Sequence, residues 1–300
     1  MSREGESSRT VGILGATGLI GGHLATHLAA AGDRVVRFSR NPPEGEDGWR
    51  SARPPLDLAG LDAVVNLAGE SVAQRWTPAA RERIRRSRID LTTEVVDAIG
   101  RLAPPDRPRT LVNASASGYY APGGDHPLPE DAAAGSDFLA GVCRDWEAAA
   151  GAAEGHGVRV VAVRTGIVLG SGGDAWERMR RLFSLGLGGP LGTGRQFMPW
   201  IHLEDEVRAI EFALGNPELR GPVNLGAPEP VRNREFTREL GKVLRRPAIL
   251  PVPGFALKIV LGEFAGSVLA SYRMIPEKLE AAGFEFRFRR VPEALAALCE

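Results

Sequence analysis

The chain has 300 residues, 43% hydrophobic and 25% charged, with 37 basic residues against 37 acidic ones and a net charge of zero. That composition suits a globular protein of one or two domains with a large core. The charge balance gives no overall pull towards nucleic acid or an anionic membrane, and neither is expected as a partner.

The first ten residues are polar, with no apolar stretch of the kind a secretory signal carries, and are expected to form a disordered tail. Residues 11–14 read as a short buried strand, followed at once by Gly15-Ala16-Thr17-Gly18-Leu19-Ile20-Gly21. Residues 22–31 then read as a helix, with Leu24, Ala25, Leu28 and Ala29 at helical spacing. Strand, glycine turn and helix together form the context in which such a motif signifies dinucleotide binding. Gly15 permits the tight turn, Gly18 lets the backbone approach a pyrophosphate, and Gly21 lets the helix pack on the strand. Gly15, Thr17, Gly18, Leu19, Ile20 and Gly21 are therefore the candidate cradle, with free N–H groups at the helix start to hold the anion.

Residues 34–38 form a second strand, ending at Ser39-Arg40. An NAD-selective site usually carries an acid there, bonded to the ribose 2′-hydroxyl. This chain has none. Arg40 can instead pair with a 2′-phosphate through charge-assisted bonds, and Ser39 can add a hydroxyl, so NADP(H) is the expected cofactor.

The stretch 41–61 is rich in Pro and Gly, with too little room for a full helical crossover. Residues 62–67 form another buried strand closed by Ala68-Gly69, which puts Leu67, Ala68 and Gly69 at the carboxyl edge where open α/β sheets bind ligands. Thr77 is the candidate N-cap, and Pro78 the first residue, of a helix reaching about residue 99. That helix carries Arg81, Arg83, Arg85, Arg86 and Arg88. Most of these must face solvent, and no interleaved aromatics point to nucleic acid.

Residues 110–114 form a strand running into Ser115-Ala116-Ser117-Gly118-Tyr119-Tyr120. Ser136 or Asp137 caps a helix reaching residue 154, and 158–163 is again a strand. Alternating strands and helices predict a doubly wound parallel sheet of the α/β class. Beyond Arg164 the texture changes. Residues 186–194 are dense in glycine, and residues 200–203 lead into a helix opened by Glu204, Asp205 and Glu206, acids that suit its positive end. Residues 222–225 read as a returning strand, and 236–244 and 255–270 as helices. No apolar run reaches the ~18 residues of a membrane span; 252–270 comes closest, interrupted by Lys258 and Glu263. Cys143 and Cys299 are far apart, which suits a reducing, cytoplasmic setting.

The order of these motifs resembles the extended short-chain dehydrogenases/reductases. More closely, the chain is similar to their atypical epimerase-like subfamily, sometimes labelled cell-division inhibitor homologues. The resemblance rests on Asn-Leu-Ala-Gly-Glu at 66–70, Ser-Arg-Ile at 87–89, Gly-Tyr-Tyr at 118–120 and Cys-Arg-Asp-Trp-Glu at 143–147. It continues with Leu-Gly-Leu-Gly-Gly-Pro-Leu-Gly at 185–192, Trp-Ile-His-Leu-Glu-Asp at 200–205 and Pro-Glu-Pro-Val-Arg-Asn at 228–233. It implies a Rossmann domain over 11–166 and about 201–226, with a smaller C-terminal substrate domain over 167–200 and 227–300. It also implies that 67–69 lies along the adenine side of the cofactor, that Arg88 is a second anion contact, and that Val168 adjoins the nicotinamide half.

Active members of the wider superfamily use Tyr-x-x-x-Lys with an upstream Ser or Thr, the lysine helping to lower the tyrosine pKa. This chain lacks the pair. Counted from Glu147, the two positions fall near Leu139 and Cys143, which cannot do that work. The serine position survives as Ser115. Tyr119 and Tyr120 either supply a hydroxyl from the other side of the cleft or serve as its walls. Cys143 reads as a buried helix cysteine, and His23 and His27 have no third ligand, so no metal is expected. His202 is expected to order a strand-to-helix turn. Arg195 and Gln196 are candidates for substrate contact, or else belong to a structural turn. Two functions are compatible with this pattern. One is an NADP(H)-dependent oxidoreductase or epimerase acting on a small polar substrate; the other is a non-catalytic NADP(H)-binding regulator. Either can be a homo-oligomer.

Overall fold

A computed structural model describes residues 8–299. Its elements begin with β1 (Thr10–Leu14), α1 (Leu19–Ala30), β2 (Arg34–Ser39), β3 (Trp49–Ser51), β4 (Ala63–Asn66), α2 (Pro78–Arg101) and β5 (Thr110–Ala116). They continue with β6 (Pro127–Leu128), α3 (Phe138–Gly151), β7 (Arg159–Thr165), β8 (Ile167–Leu169), α4 (Asp174–Ser184), β9 (Phe197–Met198), β10 (Trp200–His202) and α5 (Leu203–Gly215). The C-terminal part holds β11 (Gly221–Leu225), β12 (Val231–Arg232), α6 (Asn233–Val243), α7 (Gly254–Leu261), α8 (Phe264–Leu269), β13 (Arg273–Met274), α9 (Glu277–Ala281) and α10 (Val291–Ala297).

Seven strands form one sheet in the order β11-β7-β5-β4-β1-β2-β3, parallel throughout. β1 and β4, rich in Val, are buried on both faces, as strands covered by helices must be. On one face α1 and α5 cover a core built around Val11, Ile13, Leu24, Leu28, Val163 and Ile210. On the other, α2 and α3 cover Leu14, Val64, Val95, Ile99 and Leu111. This is the doubly wound α/β sheet that the alternating pattern predicts. The strand order reverses at β1, between β4 and β2, which opens a crevice at the carboxyl edge beside the glycine loop.

Four local differences from the sequence reading have simple causes. Gly18 is extended and caps α1, so the helix starts at Leu19 rather than at residue 22. β3 adds an unforeseen edge strand, since three residues are too short to show a period. The apolar run 255–270 splits into α7 and α8 at Gly262, whose φ of +61° no right-handed helix accepts. Of the expected disordered tail, 1–7 lies outside the described residues, whereas the Arg9 guanidinium pairs with Asp33 at 2.6 Å and Thr10 opens β1.

A smaller layer surrounds Trp176, Trp200, Phe236 and Leu295, drawn from α4, β10, α6 and α10. The expected boundary at 227 does not follow the packing. Leu279, Phe284 and Phe286 return to the core beneath α1 and α5. Asp205 then fixes the following turn by accepting the backbone N–H groups of Arg287 and Phe288, both at 2.8 Å. Burying three large apolar side chains stabilises this return more than any division of the sequence into domains would suggest.

Candidate functional site

The glycine loop is built by close contacts. Gly15 has φ +83°, and a Cβ there would sit 2.9 Å from the backbone at Leu67 and Ala68. A Cβ on Gly21 would collide with the Gly15 carbonyl oxygen. No side chain caps α1, and no acid lies in its first turn. The N–H groups of Leu19 and Ile20 precede the first helical hydrogen bond, donated by Gly22 to Gly18. The result is an electropositive helix end, open to an anion and bordered by Thr17 and Gly18.

At the end of β2, Ser39 Oγ accepts the Asn41 N–H at 3.2 Å. The Arg40 side chain is exposed and has no hydrogen-bond or ion-pair partner among the described residues. Beside it stands Arg53, whose Nε donates to the Arg40 carbonyl at 2.9 Å and whose Nη2 donates to Asn41 Oδ1 at 2.8 Å. The strand end thus holds two guanidinium groups where the sequence indicated one. Arg53 was missed because the pairing of β2 with β3 brings it back across thirteen residues.

At the end of β4, the Leu67 N–H donates to Leu14 and the Ala68 N–H to Asn66 Oδ1. Beneath lies a buried polar network. Asn66 Nδ2 donates to Asn113 Oδ1 and to Thr92 Oγ1, and Trp146 Nε1 donates to Thr92 Oγ1 at 2.8 Å. This network ties the ends of β4 and β5 to α2 and α3. Arg88 rises from α2 between Gly69 and the Trp146 ring, 5.1 Å from the ring centre. A Cβ on Gly69 would be 3.0 Å from its Cζ, a tight contact that the Arg88 side chain would have to yield to. Nη1 donates to the Ile84 carbonyl and to Ser87 Oγ. Burial lowers the Arg88 pKa, partly offset by the charge of Glu70.

Ser115, Tyr119 and Tyr120 come together at the end of β5. Ser115 is buried and donates to Glu147 Oε1 at 2.6 Å. Arg164 holds the same carboxylate from the other side, Nε to Oε1 and Nη2 to Oε2, both at 2.8 Å. Arg164 lies over the Tyr119 ring, 3.4 Å from its centre. The two tyrosines are not equivalent. Tyr120 is 1% exposed; its hydroxyl donates to Asn224 Oδ1 at 2.6 Å and accepts from Arg164. Burial pushes its pKa up to about 12, against the pull of Arg164. Tyr120 is therefore a core residue and not a substrate-facing group. Tyr119 is half-buried, edge-on to the Tyr120 ring and beneath the Arg164 guanidinium.

The residues in the Tyr and Lys positions also lie here. Leu139 packs on Gly118, and Cys143 is buried on α3 one turn before Glu147. Burial, then the Glu147 charge, pushes the Cys143 thiol up to about 12, so it is no nucleophile at neutral pH. Glu147 and Arg164 were visible as parts of motifs, but nothing in their spacing revealed that they clamp Ser115.

Val168 lies in β8, half-buried, opposite Ile201 of β10. His202 Nδ1 accepts the Glu204 N–H at 3.2 Å and caps α5. Glu206 is fully buried; Oε1 accepts from Thr165 Oγ1 at 2.8 Å, and burial raises its pKa to about 8. Among the described residues, Glu206 Oε2, His202 Nε2 and Trp200 Nε1 are buried without a partner. The candidates Arg195 and Gln196 line one cavity of about 590 Å³ with Asp125, Thr193, Arg232 and Arg234. Arg195 is exposed, whereas Gln196 is 7% exposed and its Nε2 donates to the Leu191 carbonyl, which ties it into the turn. His27 bonds Glu211 at 2.6 Å and so does not share a ligand set with His23, whose Nδ1 lies 2.9 Å from the Leu19 carbonyl oxygen.

Comparison with known proteins gives a consistent picture. Residues 11–226 match the NAD dependent epimerase/dehydratase family, and 252–298 match a domain of unknown function, DUF1731. An epimerase family protein of Mycobacterium bovis is 44% identical over 296 residues, covering 96% of this chain and 97% of that protein. A chloroplastic SDR39U1 homologue of Arabidopsis thaliana is 40% identical, covering 100% of this chain and 89% of that protein. Among solved structures, the human epimerase family protein SDR39U1 with NADPH superposes with a TM-score of 0.89 at 34% identity, over 97% of this chain and 99% of that one.

Proposed function

The chain belongs to the NAD dependent epimerase/dehydratase family, and from that membership we propose that it binds NADP(H) and uses it in oxidoreduction or epimerisation of a small, polar, anionic substrate. The observation that carries this reading is the acid-free, uncapped start of α1 beside a β2 end that presents Arg40 and Arg53 where an NAD-selective site would present an acid. Thr17, Gly18, Leu19 and Ile20 would hold the pyrophosphate. Ser39, Arg40 and Arg53 would hold the 2′-phosphate. Leu67, Ala68 and Gly69 would border the adenine side, with Arg88 as a second cation and Val168 on the nicotinamide side. The human SDR39U1 structure with NADPH supports the cofactor class.

NADP(H) supplies or accepts a hydride when bound. The chain's own groups must orient the substrate oxygen and handle its proton. Ser115 has one hydroxyl proton, already donated to Glu147. It can accept a hydrogen bond from a substrate hydroxyl without disturbing that contact, or pass a proton along it. Arg88, from α2, puts a permanent charge close to Cys143, the position where a lysine would stand. Arg195, Arg232 and Arg234 suit an anionic part of the substrate; Arg232 is partly neutralised by Asp125 at 2.8 Å.

NADPH oxidation across a panel of sugars, ketones and aldehydes tests the oxidoreductase form of the reading, and conversion of sugars to their epimers with NADP+ present, which leaves no net change in cofactor, tests the epimerase form. We expect turnover with at least one carbonyl compound, and a fall of about 100-fold on Ser115→Ala. No turnover in either assay, or a Ser115→Ala variant that works like wild type, overturns it. A second reading, an NADP(H)-binding regulator without chemistry, is favoured by Leu139 and the unreactive Cys143 thiol in the proton-handling positions. Tight NADPH binding with no turnover would select it.

A further inference from the structure

Large apolar side chains at least half exposed occur in only two described segments. Leu182, Leu185 and Leu187 lie at the end of α4 and just beyond it. Ile249 and Leu250, with Phe255, Ile259 and Val260 of α7, form the other group. The two segments are neighbours: Leu191 bridges Val252, Val252 donates to the Pro190 carbonyl, and Arg246 Nε donates to the Ser184 carbonyl at 3.0 Å. They make one apolar face, and a face of this kind marks an interaction site. No residue of α7 is buried.

The charges around this face are of one sign. Residues 178–203 and 240–262 contain no Asp or Glu. Arg178 and Arg181 share a side of α4 with Leu182 and Leu185. Arg245 and Arg246 flank Ile249, and Lys258 lies between Phe255 and Ile259. The acids just outside are already paired: Glu177 with Arg180, Glu239 with Lys242, and Glu263 with Arg81. A cavity of about 450 Å³ opens among Lys242, Arg245, Arg246, Pro247, Ala248 and Ile249. It joins the apolar face at Ile249 and offers cationic donors of the kind that take phosphate.

We propose that this face rests on the surface of a bilayer carrying anionic phospholipid. Phe255 and Ile259 enter the headgroup–acyl boundary, and Arg245 and Arg246 take lipid phosphate. The contact is peripheral, since no helix among the described residues is long and apolar enough to cross a membrane. A second copy of the chain suits the face poorly, because a twofold contact would set these cations against themselves.

Co-sedimentation of the full chain with phosphatidylcholine vesicles, with and without about one third phosphatidylglycerol, tests the proposal. Binding should require phosphatidylglycerol and weaken with salt. It should fall at least about tenfold in Arg245→Glu/Lys258→Glu and in Phe255→Ser/Ile259→Ser, all exposed positions whose melting curves should match wild type. No binding, equal binding to both vesicle types, or variants that bind like wild type overturn it. So does self-association in light scattering that Phe255→Ser/Ile259→Ser abolishes, which assigns the face to a second copy. Binding to a Glu-flanked amphipathic helical peptide without vesicle binding assigns it to an acidic protein and also overturns the proposal.

Discussion

Glu206 is the side chain whose chemistry departs furthest from what its place in the sequence suggests. As an acid in the first turn of α5 it reads as a helix-dipole partner, yet it is fully buried and bonded only to Thr165 among the described residues. Its pKa rises from 4.5 to about 8 because burial disfavours the charged form. The folded state then holds a proton that the unfolded state has released between those values. Stability should therefore decrease as pH rises from about 4.5 to 8. Glu206→Gln keeps the Thr165 bond and cannot ionise. Melting temperatures taken from pH 5 to 8 should show a smaller decline in the variant than in wild type, and equal slopes would contradict the assignment. The Glu147 carboxylate is held by Arg164 and Ser115 at 2.8 and 2.6 Å. Glu147→Gln leaves Arg164, 3% exposed, without its counter-ion and should cost about 3 kcal/mol in chemical denaturation.

Among the elements, α1 shows how much of the site could be read directly. Its glycines, its lack of a cap and its apolar spacing are local properties. So are the Thr77 cap of α2, which accepts the Ala80 N–H, and the Asp137 cap of α3. The parallel sheet followed from the alternation of such segments. Gly21→Ala would drive a Cβ into the Gly15 carbonyl and push α1 from the loop. It should cost about 1–3 kcal/mol and weaken NADPH binding, as denaturation and ligand titration would show. What stayed hidden depends on contacts distant in sequence. Ser115 meets Glu147 across 32 residues and Glu147 meets Arg164 across 17, and no periodicity encodes either. Tyr119 and Tyr120 are adjacent in sequence, but only packing around Asn224 and Arg164 separates the core tyrosine from the half-buried one. Gln196 combines both roles the sequence left open: its Nε2 donates to the Leu191 carbonyl in the turn, and the residue lines the cavity beside Arg195.

At the scale of the molecule, the C-terminal segment links both layers. It leaves the Rossmann sheet after β11, builds the smaller layer and returns through Phe284 and Phe286 to the core under α5. Asp205 secures that return through two backbone N–H groups and Arg208. Asp205→Ala should cost about 3 kcal/mol and expose the segment beyond Arg287 to limited proteolysis. The proposed chemistry requires the crevice at the sheet edge to hold NADP(H), with Arg40 reading the 2′-phosphate. Thermal shift with NADPH and NADH, on wild type and Arg40→Ala, tests this most directly. At about 100 times Kd, NADPH should stabilise wild type by about 2.7 kcal/mol. NADH at the same concentration should do much less, and Arg40→Ala should narrow the difference. A larger shift with NADH, or an Arg40→Ala variant with unchanged preference, would contradict it.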